Sequence, residues 1–239
     1  EHRGFVGLLV GGLLVGKNLM RSAEIRSIAT QAQSIKTSIL GFKEKYYALP
    51  GDMRNAFDFW PTAGCTNTSV IVDDNGCNGD GNGEIYWASW YQEGLRGWQH
   101  LSLAGMIEGQ YIGTRVAAAV AANRCVVGQT NPASDTGAGW EYYDMRNHIG
   151  LGITAEGSAI SLGFPDNLCM GSGVLTPAEA ESLDSKMDDG VPFTGTIMGN
   201  HTIAAWRTDT CRDATGDAYT VTNEARDCYM IFPLKTVQK

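Results

Sequence analysis

Between Ile25 and Tyr46 the apolar residues Ile25, Ile28, Ala32, Ile35, Ile39, Phe42 and Tyr46 follow one another at alternating steps of three and four. This is a heptad seam held over about three heptads, and it predicts an amphipathic helix. Arg26, Gln31, Gln33, Lys36, Lys43 and Glu44 lie between those positions, so one stripe is apolar and the rest is solvated. Upstream the pattern changes without a helix breaker into a wholly apolar run, FVGLLVGGLLVG, from Phe5 to Gly16. The whole stretch reads as one rod on the order of 65 Å long at about 1.5 Å per residue. It ends at Leu49-Pro50-Gly51, because proline cannot continue a helix and its predecessor avoids the helical region.

The two halves of the rod need different partners. The amphipathic half, 17–47, can bury its seam on the domain that follows it. The apolar half, 4–16, is short for a bilayer span, which takes about 20 apolar residues. Its glycines Gly7, Gly11 with Gly12, and Gly16 recur roughly four apart, as in helix contacts between small residues. A removable signal peptide is the alternative, but no A-x-A cleavage site follows and the helical pattern runs straight on. The expected organisation is therefore a spine, 1–49, and a disulfide-bonded globular α+β head, 50–239.

In the head, Met53, Ala56, Phe57 and Trp60 predict a short helix against the spine. Trp87, Trp90, Tyr91, Leu95, Trp98, Leu101 and Met106 predict a longer one over 84–107, with His100 on it as a satisfied or surface histidine. Beyond Gly109 short alternating segments predict antiparallel strands at 139–143, 148–154, 159–162, 194–198, 202–206 and 228–232. The run 117–122 fits helix or strand. A further helix starts at Thr176 as N-cap, with Pro177 at the first position and Glu179 completing a capping box. It ends in Asp184, Asp188 and Asp189, where acidic charge opposes the helix dipole. Lys186, an arginine of a neighbouring subunit, a second cation or plain solvation would answer that charge.

The six cysteines, Cys65, Cys77, Cys125, Cys169, Cys211 and Cys228, all lie in the head. Their even number without C-x-x-C points to disulfides and an exported protein. Short loops favour Cys65 with Cys77 and Cys211 with Cys228, leaving Cys125 for Cys169. Asn78, Asp80, Asn82 and Glu84 stand at positions one, three, five and seven of an EF-hand-like loop, with Gly83 at six. They are the candidate calcium ligands, although Ser89 stands at position twelve, where a bidentate Glu belongs. No cofactor is required; calcium is the one candidate.

A net charge of −8 without a basic cluster argues against a nucleic-acid surface. Scattered histidines and the absence of G-x-S-x-G and H-E-x-x-H argue against an enzyme.

Several blocks together carry a family resemblance. The apolar-to-amphipathic start, the Phe42-x-x-Lys45-Tyr46-x-Ala48-Leu49-Pro50-Gly51-Asp52 segment, the glycine-rich loop, Trp98-Gln99-His100-Leu101 with Ala104-Gly105, and Leu175-Thr-Pro with Asp188-Asp189-Gly190 resemble bacterial type IV pilin-like proteins. The resemblance covers most of the chain. It implies a pilin-like α+β fold, with a long N-terminal helical spine packed on an antiparallel sheet, and a chain that polymerises with itself through the spine. Members pass through the inner membrane and a pilus assembly machinery to an extracellular filament on the cell surface. They are cut after a glycine, here Gly4, and methylated on the next residue, here Phe5. Phe5, Leu8, Leu9, Gly11, Leu13 and Leu14 would then make the assembly face, with Leu9 at the position of the family's glutamate. If Glu1 is that glutamate instead, His2 and Arg3 fall where apolar residues belong. Either alignment leaves about a dozen apolar residues of the family's bilayer-length run without a counterpart, so an altered or shortened start is expected. The runner-up is a pseudopilin or minor pilin of a secretion or DNA-uptake machine. A membrane-tethered, calcium-dependent binding module is the alternative of another class, with Tyr142 and Tyr143 as its only aromatic hint.

Overall fold

In the computed structural model one helix, α1 (His2–Tyr46), runs unbroken through both halves of the predicted rod. The structure describes residues 2–71, 73, 75–88, 91–116, 125–145, 157–165, 171–200 and 210–235. Of residues 2–15, 17, 18, 87, 88, 91, 92, 164, 165 and 171 it describes the backbone alone. Among the described residues no helix is long and apolar enough to cross a membrane.

The seam is where α1 meets the head. Ile28, Ala32, Ile35, Ile39 and Phe42 are buried in the main core, with Ile25 and Tyr46 packed at its margins. The four large side chains among the five contribute roughly 6 to 12 kcal/mol of apolar burial before conformational entropy is charged against it. At the top of the seam Phe42 packs on Tyr46 at 4.5 Å between ring centroids, and Trp60 packs on Tyr46 at 5.4 Å. Trp60 follows α2 (Ala56–Phe59), the predicted short helix, which amounts to one turn.

The helix stops at Tyr47, whose φ of 55° places a bulky side chain in the left-handed region, at a cost of order 1–3 kcal/mol. Its ring is 92% exposed. Pro50 and Gly51 then turn the chain. At φ +92°, a Cβ on Gly51 would lie 2.1 Å from the Glu93 carbonyl, so only glycine fits there. The Gly51 N–H donates to His100 Nδ1 at 2.9 Å, and His100 Nε2 contacts the Cys77 carbonyl at 3.0 Å. His100 is thus a satisfied core histidine, a neutral ring that donates from Nε2. Burial pushes its pKa down to about 3.

Cys65 and Cys77 are bridged across β1 (Thr66–Ser69) and β2 (Gly76–Asn78), which pair in parallel. β3 (Trp87–Ala88) and β4 (Tyr91–Gln92) pair antiparallel, and α3 (Glu93–Leu103) follows directly. This corrects the expected helix over 84–107. The Glu93 carboxylate accepts the N–H groups of Asp80 and Tyr86, and with 87–88 paired to 91–92 only the 93–103 portion is helical among the described residues. Trp98 and Leu101 are buried as expected.

The main sheet is antiparallel and contains β5 (Gly139–Asp144), β6 (Ser158–Pro165), β7 (Gly171–Ser172), β8 (Met198–Asn200) and β9 (Tyr229–Pro233). Its order is β5-β6-β9-β8, with β7 added on β6. Trp140 opposite Leu162, and Tyr142 opposite Ile160, belong to the core that holds the spine seam. The alternate positions carry a buried polar network in which the Tyr229 hydroxyl donates to Glu141 at 2.7 Å. A strand over 194–198 is not formed, because it starts only at Met198. The Thr196 and Ile197 N–H groups are turned onto the Asp188 carboxylate and cannot join a ladder. The segments 148–154, 202–206 and 117–122 lie outside the described residues.

α4 (Pro177–Met187) carries the complete capping box of Thr176 and Glu179. Cys211 and Cys228 form the expected second bridge. Cys125 is also disulfide-bonded, and Cys169, its expected partner, lies outside the described residues. The fold is α+β, a long N-terminal helix packed on an antiparallel sheet.

Candidate functional site

Among the residues whose side chains are described, Arg21 is the first of α1 to bind the head. Its guanidinium donates to both carboxylate oxygens of Glu179, at 2.6 and 2.8 Å, and to the Val174 carbonyl at 3.2 Å. The same carboxylate closes the capping box on Thr176 N at 3.0 Å. One glutamate thus caps α4 and ties it to the spine. Its hydrogen bonds to Glu179 raise the Arg21 pKa against the opposing effect of burial. N-terminal to this tie, Leu19 and Met20 are exposed. Of the expected assembly and processing residues, Gly4, Phe5, Leu8, Leu9, Gly11, Leu13 and Leu14 lie on the α1 backbone, and Glu1 lies outside the described residues.

The glycine-rich loop builds an acid nest. Asp52, Asp80 and Glu93 offer carboxylate oxygens that all lie within 4.8 Å of one another. Asp52 accepts the N–H groups of Asn82 at 3.0 Å and Gly83 at 2.9 Å. Burial pushes the Glu93 pKa up to about 8 and that of Asp52 up to about 6. Among the described residues neither forms an ion pair with Lys or Arg. Of the predicted calcium ligands only Asp80 belongs to this group. The Asn78 oxygen accepts the Phe57 N–H at 3.0 Å, and the Asn82 oxygen accepts the Glu84 N–H at 2.7 Å. Asp52 escaped sequence reasoning because it stands well before the loop in the chain, and Glu93 because it lies beyond the loop's twelfth position, Ser89, where a ligand is looked for. The only local signal was an aspartate directly after the Pro-Gly turn.

A second acidic group stands at the end of α4, where Asp184, Asp188 and Asp189 come within the same 4.8 Å of one another. Asp184 is buried and accepts the Tyr219 hydroxyl at 2.7 Å, and burial lifts its pKa to about 7. Asp189 is exposed and accepts the Val191 N–H at 2.9 Å. Among the described residues none of the three is in an ion pair. The charge of Asp188 nevertheless reaches Lys36 on α1, where it works against burial, which lowers the lysine pKa.

No protein-family model matches the chain, and no curated protein or solved structure matches it at a significant level.

Proposed function

We propose that this protein is the structural subunit of an extracellular type IV pilus-like filament, polymerising through the N-terminal half of α1. The observation that carries the reading is a 45-residue helix in which Arg21 is the first residue, among those whose side chains are described, to bind the head. About 28 Å of helix precedes that point. Its sequence is apolar and glycine-spaced, and burying it against copies of itself removes it from water and uses the close approach that glycine permits. A head-to-tail contact that does not close on itself yields a filament. Disulfides in the head suit an exposed polymer. Electron microscopy of material sheared from producing cells, with mass spectrometry of the subunit, tests the reading. Uniform filaments made of this chain support it; the chain in envelope fractions without filaments points to a pseudopilin.

The acid nest favours a second reading, a calcium-dependent binding module. Asp52, Asp80 and Glu93 supply three hard oxygen ligands of the six to eight that calcium takes, with Glu93 fully buried. Calorimetry with calcium and with magnesium decides whether a selective site exists. Its absence removes the second reading and leaves the first untouched.

A further inference from the structure

At the end of α1 a cavity of about 360 Å³ opens between the helix terminus and the glycine-rich loop, lined among others by Tyr46, Tyr47, Arg54 and Asn55. Its volume lies within the roughly 300–1,000 Å³ of sites that take small ligands. Tyr46 gives the cavity a fixed aromatic base. Phe42 packs on it at 4.5 Å between ring centroids, and Phe59 and Trp60 each meet it at 5.4 Å. Tyr47 differs, because it is 92% exposed. It holds the left-handed position that ends the helix, where glycine is the usual and least strained residue. A strained backbone that carries a large ring into water points to a role in binding.

The polar part of the wall keeps hydrogen-bonding capacity. Arg54 forms no ion pair with a described residue. Asn55 precedes α2, yet its side chain does not cap that helix, which leaves an amide donor and an amide acceptor for other partners. On the loop side Gly81 and Gly83 line the cavity with bare backbone. The lining is mixed in charge. Lys43 and Arg54 stand on it together with Asp52, whose carboxylate lies within 4.8 Å of those of Asp80 and Glu93.

We infer that this cavity is a binding site for a neutral saccharide. A pyranose ring presents an apolar C–H face, which pairs with an aromatic ring, and a rim of hydroxyls that both donate and accept. Tyr47 offers a ring open to that face, beside the immobile ring of Tyr46. The Asn55 amide, the Arg54 guanidinium and the glycine backbone answer the rim. A wall of mixed sign favours a ligand of neither charge and suits one that has none. The packed aromatic base also lowers the ordering that binding must impose. The site requires neither assembly of copies nor a cation in the acid nest, so it rests on neither reading above.

The test uses full-length subunits dispersed in a detergent without a sugar headgroup. The probes are the methyl glycosides of glucose, galactose, mannose and N-acetylglucosamine and the matching disaccharides. Nuclear magnetic resonance is expected to show saturable binding of at least one probe, with shifts at the amides of Tyr46, Tyr47, Asn55, Gly81 and Gly83, unchanged when a chelator is added. Tyr47→Gly is expected to lower affinity at least tenfold while leaving the thermal transition of the head unchanged or raised, since glycine relieves the left-handed backbone. Asn55→Ala is expected to weaken binding, and Tyr47→Phe, which keeps the ring, to stay within about threefold of the parent. The inference is overturned if no probe binds saturably or if Tyr47→Gly binds as the parent does. Binding confined to charged sugars such as glucuronate also overturns it, and binding lost with the chelator does so by moving the site to the acid nest.

Discussion

The two halves of α1 share one continuous helix and differ in their pattern of apolar residues. From Arg21 to Tyr46 the helix carries a one-sided apolar stripe, and that stripe is buried in the head. From Phe5 to Gly16 its sequence is apolar on every side, and a single domain face cannot cover such a surface. An amphipathic pattern names its partner as the protein's own core; an all-round apolar pattern asks for several partners at once. On the proposed reading, identical spines supply them.

The comparison breaks most sharply at Leu9 and Gly11. Leu9→Asp or Gly11→Leu is expected to abolish filaments while leaving the thermal transition of the head within about 1 °C of the parent, as checked by electron microscopy and circular dichroism on the same preparations. Filaments at normal yield from either variant would remove the distinction between the halves. In the other half the effect reverses in kind. Phe42→Ala is expected to cost about 3–5 kcal/mol of folding stability, because the ring is buried among Tyr46, Trp60 and His100. Denaturant unfolding checks it, and a change under about 1 kcal/mol would mean that the seam does not hold the head.

Titration sharpens the picture at the top of the spine. Glu93 has a folded pKa raised to about 8 from 4.5. Its contribution to stability is therefore fully present below pH 4.5 and is lost as pH rises through about 8. His100 works in the opposite sense. With a folded pKa lowered to about 3 from 6.5, its contribution is present above pH 6.5 and is lost as pH falls towards 3. Glu93→Gln is expected to flatten the decline in thermal stability between pH 4.5 and about 8, read by calorimetry across that range, and an unchanged slope would exclude Glu93 as its source. The smallest expected effect is at the junction of the halves. Arg21→Ala is expected to cost about 1 kcal/mol, since the Arg21–Glu179 pair is only partly buried, and urea unfolding checks that value.

Local features were legible in the chain and distant ones were not. The seam from Ile25 to Tyr46, the Pro50-Gly51 stop, the Thr176 capping box and the bridges Cys65–Cys77 and Cys211–Cys228 each depend on residues close in sequence, and each is present. The start of α3 differs from the expectation because aromatic spacing over 84–92 mimics a helix, whereas the Glu93 carboxylate accepts the Tyr86 N–H and residues 87–88 pair as a strand with 91–92. A strand over 194–198 does not form because Asp188, eight and nine residues away, captures the N–H groups of Thr196 and Ile197. The acid nest joins Asp52 to Glu93 and Asp80 through the tertiary fold. The Arg21–Glu179 tie spans 158 residues and leaves no local pattern.

Amide hydrogen exchange along α1, compared between detergent-dispersed subunits and assembled filaments, tests the central claim most directly. The account predicts that residues 28–42 are protected in both states, while residues 5–18 exchange fast in dispersed subunits and become strongly protected only in filaments. Equal protection of residues 5–18 in the two states would contradict it, because the N-terminal half of the spine would then have a partner other than its own copies.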